Sequence, residues 1–418
     1  MSESRSGITR RDALEGAVAL GLGAGLDHAV FGLLGLGASS RHRPAPTAAQ
    51  GAVPFYGAHQ AGIATPTQDH LCLAAFDLTT DAVGELRLLL QQWTAAAEAI
   101  TTGKLYTPMP QQEDQVPEDP GEALELGPAR LTVTFGIGPG AFERTGLASR
   151  KPAELRSLPP FPGDDLESAR SGGDLCVQAC ADDPQVAFHA VHLLARVASG
   201  AAVPRWSQIG FGRTSSTSTS QKTPRNLMGF KDGTANIRTE ESDAMNRFVW
   251  VKRGDGPAWI AGGTYLIVRR IRMLFDVWDT TTLEGQERVF GRYKASGAPL
   301  GEASEYDPID LHATRNGEPV IPANAHIRLA SPQYNAGQRI LRRGYSYSEG
   351  TEAGTGDIDA GLFFIAFQRS PSRQFIPIQR RLAAEDALNH ATVHTSSAIF
   401  VCPPGVAPGG FIGEGLFQ

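Results

Sequence analysis

The 418-residue chain exceeds the usual length of one domain, so its size favours two folded domains and a tail. Hydrophobic residues make up 41% and charged residues 20%, which is ordinary for a folded globular protein and excludes a disordered or membrane-embedded chain. The formal net charge of −6 and the lack of a long Lys/Arg run exclude a basic face for phosphate backbones, so we expect no nucleic-acid partner.

Residues 1–52 have the pattern of an export signal followed by a linker. Thr9-Arg10-Arg11-Asp12-Ala13-Leu14 precedes a Gly/Ala/Leu-rich stretch from Gly16 to Ala38, which is the order of a twin-arginine signal. The alternatives are an ordinary amphipathic start or a membrane anchor, and Asp27 and His28, which interrupt the apolar run, weaken the second of these. We expect export of the folded protein to the periplasm, the cell surface or the exterior, with no stable membrane insertion after cleavage.

The Pro/Ala-rich RHRPAPTAAQGAVP predicts a cleavage region and linker, with the mature fold beginning near Phe55.

The first half of the mature chain then predicts a βαββαβ order. Its elements are the strand HLCLAAFDL, a helix with apolar spacing from Val83 to Ile100, strands at Arg130–Ile137 and Asp174–Cys180, and a second amphipathic helix from Val186 to Val197. Cys176 and Cys180 fall in a strand-like run, so we expect buried thiols and not a metal site.

The second half repeats this order, with the division in the polar stretch from Thr214 to Thr223. Its predicted elements are the strand TYLIVRRIRM, a helix around Phe275 to Tyr293, strands near Arg339 to Tyr347 and Leu362 to Gln368, a helix near Phe375 to Leu388, and the strand SAIFVCP. The pattern predicts an α+β protein with two ferredoxin-like domains and antiparallel sheets, at 53–215 and 216–418.

Two segments carry candidate chemistry. Gly229-Phe230-Lys231-Asp232-Gly233-Thr234 has glycines on both sides of a charged pair; taken alone, it is most simply a turn. His326 and the Arg342-Arg343 pair stand in the second segment, where a lone histidine is usually a core residue and paired arginines usually form a solvated face. Neither segment is diagnostic by itself.

Together, five motifs in order resemble the dye-decolourising peroxidase superfamily, and most of all its deferrochelatase/peroxidase branch. They are PFYGAHQAGIATPTQ at 54–68, GGDLCVQACADDP at 172–184, GFKDGT at 229–234, NAHIRLASP at 324–332 and ILRRGYSY at 340–347. The resemblance extends over residues 54–404.

This resemblance implies one haem b per chain, bound mainly in the C-terminal domain. By position in the motifs, Asp232 corresponds to the family's aspartate above the haem, His326 to the iron ligand, and Arg342 to the arginine beside that aspartate, with Arg343 as the competing choice. The resemblance further implies that Gly233, Thr234, Ala235 and Arg328 contact the haem together with His326 and Arg342.

The residue types suit the reduction of hydrogen peroxide. Heterolysis of the O–O bond needs one proton moved from one peroxide oxygen to the other, which an aspartate can shuttle, and an arginine can stabilise the negative charge that develops. A carboxylate behind the histidine would tune the iron; Asp386 is our choice for it, and Glu385 is the runner-up. Because an aspartate has a reference pKa of about 3.9, we expect dye oxidation to have an acidic optimum.

The leading hypothesis is an exported haem peroxidase that uses hydrogen peroxide to oxidise dyes or phenolic compounds. Two alternatives are a deferrochelatase, which releases iron from intact haem, and a haem-binding component with iron-uptake partners. Bulky organic reductants cannot enter a haem pocket, so surface aromatics are candidates for electron transfer, by type alone: Trp250, Trp259, Trp278, Tyr334 and Tyr345.

Overall fold

The structure, a computed structural model, describes residues 51–352 and 354–418. The twin-arginine motif and the apolar stretch behind it lie outside the described residues. Within the described ranges, no helix is long and apolar enough to cross a bilayer.

The first half forms an antiparallel sheet in the order β4-β1-β3-β2, with its helices packed on one face. Asp183 caps the second long helix by accepting hydrogen bonds from the backbone N–H groups of Gln185 (2.8 Å) and Val186 (3.2 Å), and Pro184 occupies the first turn. The elements are β1 His70–Leu78, α1 Val83–Thr101, β2 Thr132–Ile137, α2 Pro139–Arg144, β3 Leu175–Ala181, α3 Pro184–Val197 and β4 Ala202–Arg213.

The second half contains an equivalent sheet in the order β11-β5-β10-β9, again antiparallel. Its elements are α4 Ser242–Phe248, β5 Thr264–Met273, α5 Phe275–Asp279, α6 Leu283–Phe290, β6 Thr314–Arg315, β7 Glu318–Pro319, α7 His326–Ala330, β8 Leu341–Arg342, β9 Tyr345–Thr351, β10 Ile358–Gln368, α8 Phe375–Glu385 and β11 Thr392–Cys402. The predicted α+β class with antiparallel sheets is confirmed.

Strands of the two halves also pair with each other. β4 pairs with β9 at Phe211 and Ser346, and β11 pairs with β2 at Val401 and Ile137. Because β5 pairs with both β10 and β11, the pairings of eight strands close into a ring. Apolar side chains, among them Phe363, fill one face of this ring, and the opposite face of β5, β10 and β11 is left for the site.

Two predicted elements are interrupted. The helix expected from Phe275 to Tyr293 is two helices, because Thr282 adopts an extended backbone and its side chain caps α6 by accepting from the N–H of Gly285 at 3.2 Å. The strand expected from Arg339 to Tyr347 is split into β8 and β9. In the described chain, all four cysteines are free and buried, including Cys176 and Cys180 in β3.

Candidate active site

A cavity of ≈ 260 Å³ lies against the face of β5, β10 and β11 that points away from the ring interior. This volume far exceeds the space that a single water or ion occupies. The cavity is lined by the loop that carries Asp232, by Phe290 of α6, by His326 of α7 and by the apolar face of α8. It thus brings together side chains that are far apart in the sequence.

Asp232 and Arg342 form an ion pair in the cavity wall. Nη1 of Arg342 donates to Oδ1 of Asp232 at 2.7 Å, and the two side chains are 27% and 15% exposed respectively. The side chain of Asn236 holds the backbone of Arg342 on both sides, because its Oδ1 accepts from the Arg342 N–H and its Nδ2 donates to the Arg342 carbonyl, each at 2.8 Å. A fixed cation therefore stands beside a partly accessible carboxylate.

The loop around Asp232 is fixed at both ends. Gly233 has φ +87°, and a Cβ there would lie 3.0 Å from the backbone of Ser215, so only glycine fits without strain. The N–H of Asp232 donates to the carbonyl of Pro224 at 2.9 Å. Beyond the loop, Glu305 accepts from Lys231 and, at 3.0 Å, from Thr234, the residues that flank Asp232 and Gly233. These contacts restrict the direction in which the Asp232 carboxylate points.

His326 is the first residue of α7, and its ring contacts a buried carboxylate. Nδ1 lies 2.6 Å from Oδ2 of Asp386, the residue at the C-terminal end of α8, whose Oδ1 accepts from the Leu388 N–H at 2.9 Å. The two segments are joined by a bond from the Ala387 N–H to the Asn324 carbonyl at 3.0 Å. Burial acts to lower the pKa of His326, but the charge and hydrogen bond of Asp386 outweigh it and raise the pKa above its ordinary value.

The structure separates the two adjacent arginines. Arg343 is fully buried on the other side of the strand, where it donates to the carbonyl of Thr65 and to the side chain of Gln68. Arg342 alone of the pair lines the cavity. The carboxylate on the histidine is that of Asp386, while Glu385 is exposed.

Gly233, Thr234 and Ala235 line the cavity, and their contact with a haem stays a prediction. Arg328 does not line it. Its guanidinium is buried beneath α7 and donates to the carbonyls of Ile321 (2.6 Å) and Pro322 (3.0 Å). The structure places Arg328 where it anchors the helix that carries His326.

The donors in the cavity fit a haem. With Nδ1 of His326 facing Asp386, the neutral ring can carry its proton on Nδ1 and keep the lone pair on Nε2 free for iron. Apolar residues such as Phe290, Leu362 and Ile378 suit the faces of a porphyrin, and cationic residues suit its carboxylates. The cations in the wall are Lys231, Arg269, Arg292, Arg339 and Arg342.

Sequence reasoning missed several of these residues. Arg292, Asn236 and Glu305 stand in segments with no recognisable motif. Arg269 stands in a run that predicted only a strand, and His394 stands just before the predicted strand SAIFVCP. The one available signal was the run of charged residues inside TYLIVRRIRM, which is unusual for a buried strand.

Two histidines of α3 at i,i+3 spacing, His189 and His192, and the five candidate aromatics do not line the cavity. His189 and His192 both contact the carboxylate of Glu122, and among the described residues no cluster of His, Cys, Asp or Glu is arranged to hold a metal ion. Of the five candidate aromatics, Tyr334 is 42% exposed, whereas Trp250, Trp259, Trp278 and Tyr345 are buried.

Comparison with known families assigns both halves of the chain. The family described as "Dyp-type peroxidase, N-terminal" matches residues 60–212, and the family described as "Dyp-type peroxidase, C-terminal" matches residues 223–407. A dye-decolorizing peroxidase of Thermobifida fusca (strain YX) is 40% identical over 376 residues, covering 86% of this chain and 84% of the relative. A deferrochelatase of Yersinia pseudotuberculosis (serotype I, strain IP32953) is 40% identical over 362 residues, covering 85% and 82%.

Solved structures give the same relationship. Ferric DtpA from Streptomyces lividans superposes with a TM-score of 0.81 at 41% identity, covering 89% of this chain and 100% of that one. A DyP-type peroxidase from Streptomyces coelicolor superposes with a TM-score of 0.80 at 41% identity, covering 88% and 98%. The similarity therefore includes both sequence and fold over most of each chain.

Proposed function

Since this chain belongs to the Dyp-type peroxidase family, we propose that its cavity holds the haem. Hydrogen peroxide is reduced there with electrons that come from dyes or phenolic compounds. The chain is a haem peroxidase. The observation that carries the proposal is that the Asp232–Arg342 pair and the His326–Asp386 pair line the same cavity.

Haem, when bound, supplies the redox-active iron at which peroxide is reduced. His326 would hold that iron through Nε2, and Asp386 accepts the hydrogen bond of Nδ1–H, which fixes the tautomer and makes the ring a stronger donor. The hydrogen bond from the Ala387 N–H to the Asn324 carbonyl holds together the two segments that carry Asp386 and His326.

On the peroxide side, the Asp232 carboxylate accepts a proton from one peroxide oxygen and returns it to the other. Arg342 remains protonated and stabilises the negative charge on the departing oxygen, while its hydrogen bond orients Asp232. The carboxylate and the guanidinium act as a unit because Asn236 holds the Arg342 backbone in place.

We keep three finer assignments as part of the proposal. The two halves are ferredoxin-like domains at 53–215 and 216–418, which the strand order in each half supports, and haem binds in the second. The protein is exported by the twin-arginine pathway, which the sequence of residues 9–38 supports.

Bulky reductants are oxidised at the protein surface, and Tyr334 is the side chain we assign to that step. It is the exposed one among the candidate aromatics, and it lies two residues from Pro332, which lines the cavity. Nη1 of Arg328 donates to the Tyr334 hydroxyl at 3.0 Å and so holds the ring at this position.

The second candidate function is release of iron from haem, with uptake partners downstream. It is supported by the relative named deferrochelatase at 40% identity, and it would use the same cavity.

The experiment that separates the two functions is an assay of haem-loaded protein with peroxide and dye, and with a reductant alone. Peroxidase function predicts dye turnover with an acidic optimum, while iron-free porphyrin would identify the chelatase. Turnover no faster than that of free haem would refute the peroxidase.

A further inference from the structure

His394 lines the cavity on the sheet side, at a bulge of β11 where it stands opposite Ile271 of β5. Nε of Arg269 donates to Nδ1 of His394 at 3.0 Å. Because a guanidinium can only donate, Nδ1 must be an acceptor, and the proton of the neutral ring is on Nε2. Nε2 has no hydrogen-bond partner within residues 51–352 and 354–418, so the ring offers one free N–H donor.

The ring stays neutral over the whole physiological range. Burial, and then the positive charge of Arg269, lower the pKa of His394 to about 3. The donor on Nε2 is therefore permanent, and its direction is set by the contact on the opposite nitrogen.

Arg269 places positive charge directly behind this donor. Its side chain is 1% exposed, and Nη2 is paired with the carboxylate of Asp164. Nη1 is buried with no hydrogen-bond partner among the described residues. Burial lowers the pKa of Arg269 even though Asp164 acts against it, so the one carboxylate does not fully compensate the buried cation.

We propose that His394, oriented by Arg269, binds one carboxylate of the haem through Nε2–H. A fixed donor with a cation behind it recognises an anionic acceptor, and the neighbouring wall residues Ile271, Leu362 and Phe364 are apolar and suit the porphyrin edge beside that carboxylate. This inference rests on the proposal that the cavity holds the haem, and it assigns to the sheet face a binding role that no motif indicated. Arg269 acts through His394 and is a positioning residue.

The test combines a change in the ligand with a change in the protein. The full chain and its His394→Leu and His394→Gln variants are loaded with haemin or with haemin dimethyl ester, and the rate of haem loss to an excess of an apoglobin scavenger is measured. His390→Leu, an exposed histidine nearby, is the matched control.

We expect the full chain to hold haemin more tightly than the diester, and His394→Leu to reduce that preference roughly tenfold, since one hydrogen bond to a charged group is removed. His394→Gln should keep part of the preference because its amide can donate, and His390→Leu should keep all of it. Equal weakening of both ligands by His394→Leu, or no preference in the full chain, would overturn the assignment.

A carboxylated reductant is the other source of the same chemistry. If His394→Leu leaves the haemin preference unchanged but raises the KM of the haem-loaded enzyme for a benzoate-type reductant, the carboxylate belongs to the substrate and the haem assignment is wrong. Failure of the full chain to bind either porphyrin would instead refute the haem site itself, so the two failures are distinguishable.

Discussion

Nδ1 of His326 lies 2.6 Å from Oδ2 of Asp386, so the proposed iron ligand is oriented by a carboxylate that is 3% exposed. The two residues are separated by 60 positions in sequence and come from the start of α7 and the end of α8. This contact determines which ring nitrogen is available to the cavity.

The Asp386→Asn variant should weaken haem binding about 10- to 100-fold. The amide can keep the bond to Leu388 through its oxygen, but its NH2 would then donate to Nδ1 of His326 and force the ring proton onto Nε2, where iron should bind. Haem affinity by Soret titration measures the effect. Glu385→Gln is the control, and equal effects of the two variants would show that Asp386 does not orient the histidine.

Asp232→Asn and Arg342→Leu should each slow the reaction with hydrogen peroxide by about 10²- to 10⁴-fold while haem remains bound. The first removes the proton acceptor, and the second removes the charge that stabilises the departing oxygen. Stopped-flow mixing of the ferric protein with peroxide gives the rate constant, and Asp243→Asn, an exposed aspartate, is the control. A rate within a few-fold of the unmodified chain in Asp232→Asn would exclude this residue as the proton carrier.

Tyr334→Phe should lower kcat/KM for a bulky dye severalfold, because it affects the transfer of electrons from the dye at the protein surface. It should leave the rate constant for the reaction with peroxide unchanged. Tyr306→Phe is the matched control, since Tyr306 is 63% exposed and does not line the cavity. Steady-state assays with one bulky and one small reductant measure the difference. If both tyrosine variants behave alike, Tyr334 is not the oxidation site.

His394 should make the haem-free fold sensitive to acid. Its folded pKa of about 3 is lower than that of an unfolded histidine, so between pH 6.5 and 3 the unfolded state binds a proton that the folded state does not, and stability is lost as pH falls. His394→Gln removes this linkage. Between pH 7.5 and 4.5, the free energy of unfolding in urea should fall by about 2.6 kcal/mol less in the variant. An identical pH dependence in both proteins would contradict the assigned pKa.

Local patterns in the sequence predicted the strands and helices well, because alternation and 3.6-residue spacing report which face of an element is buried. The spacing of Val83 to Ile100 matched α1 to within a residue. The breaks were harder to foresee: Thr282 acts as a helix cap only because the chain turns there, and the split between β8 and β9 depends on pairing with β10.

The sequence predicted those site residues that stand in recognisable motifs. Asp232, Arg342 and His326 stand in recognisable runs, and the structure brings them to one cavity. Arg328 stands in such a run too, but its guanidinium does not line the cavity and instead anchors α7. This could not be predicted because spacing in sequence does not reveal the direction in which a buried guanidinium points. Arg269 and His394 could not be paired from sequence because the register of β5 with β11 includes a bulge.

The absorption spectrum of the purified protein, recorded before and after addition of hydrogen peroxide, tests the central claim most directly. The account predicts a Soret band of histidine-ligated ferric haem that changes rapidly on mixing, is lost in His326→Ala, and persists but barely responds in Asp232→Asn. An unchanged Soret band in His326→Ala, or a response to peroxide no faster than that of free haemin, would contradict it.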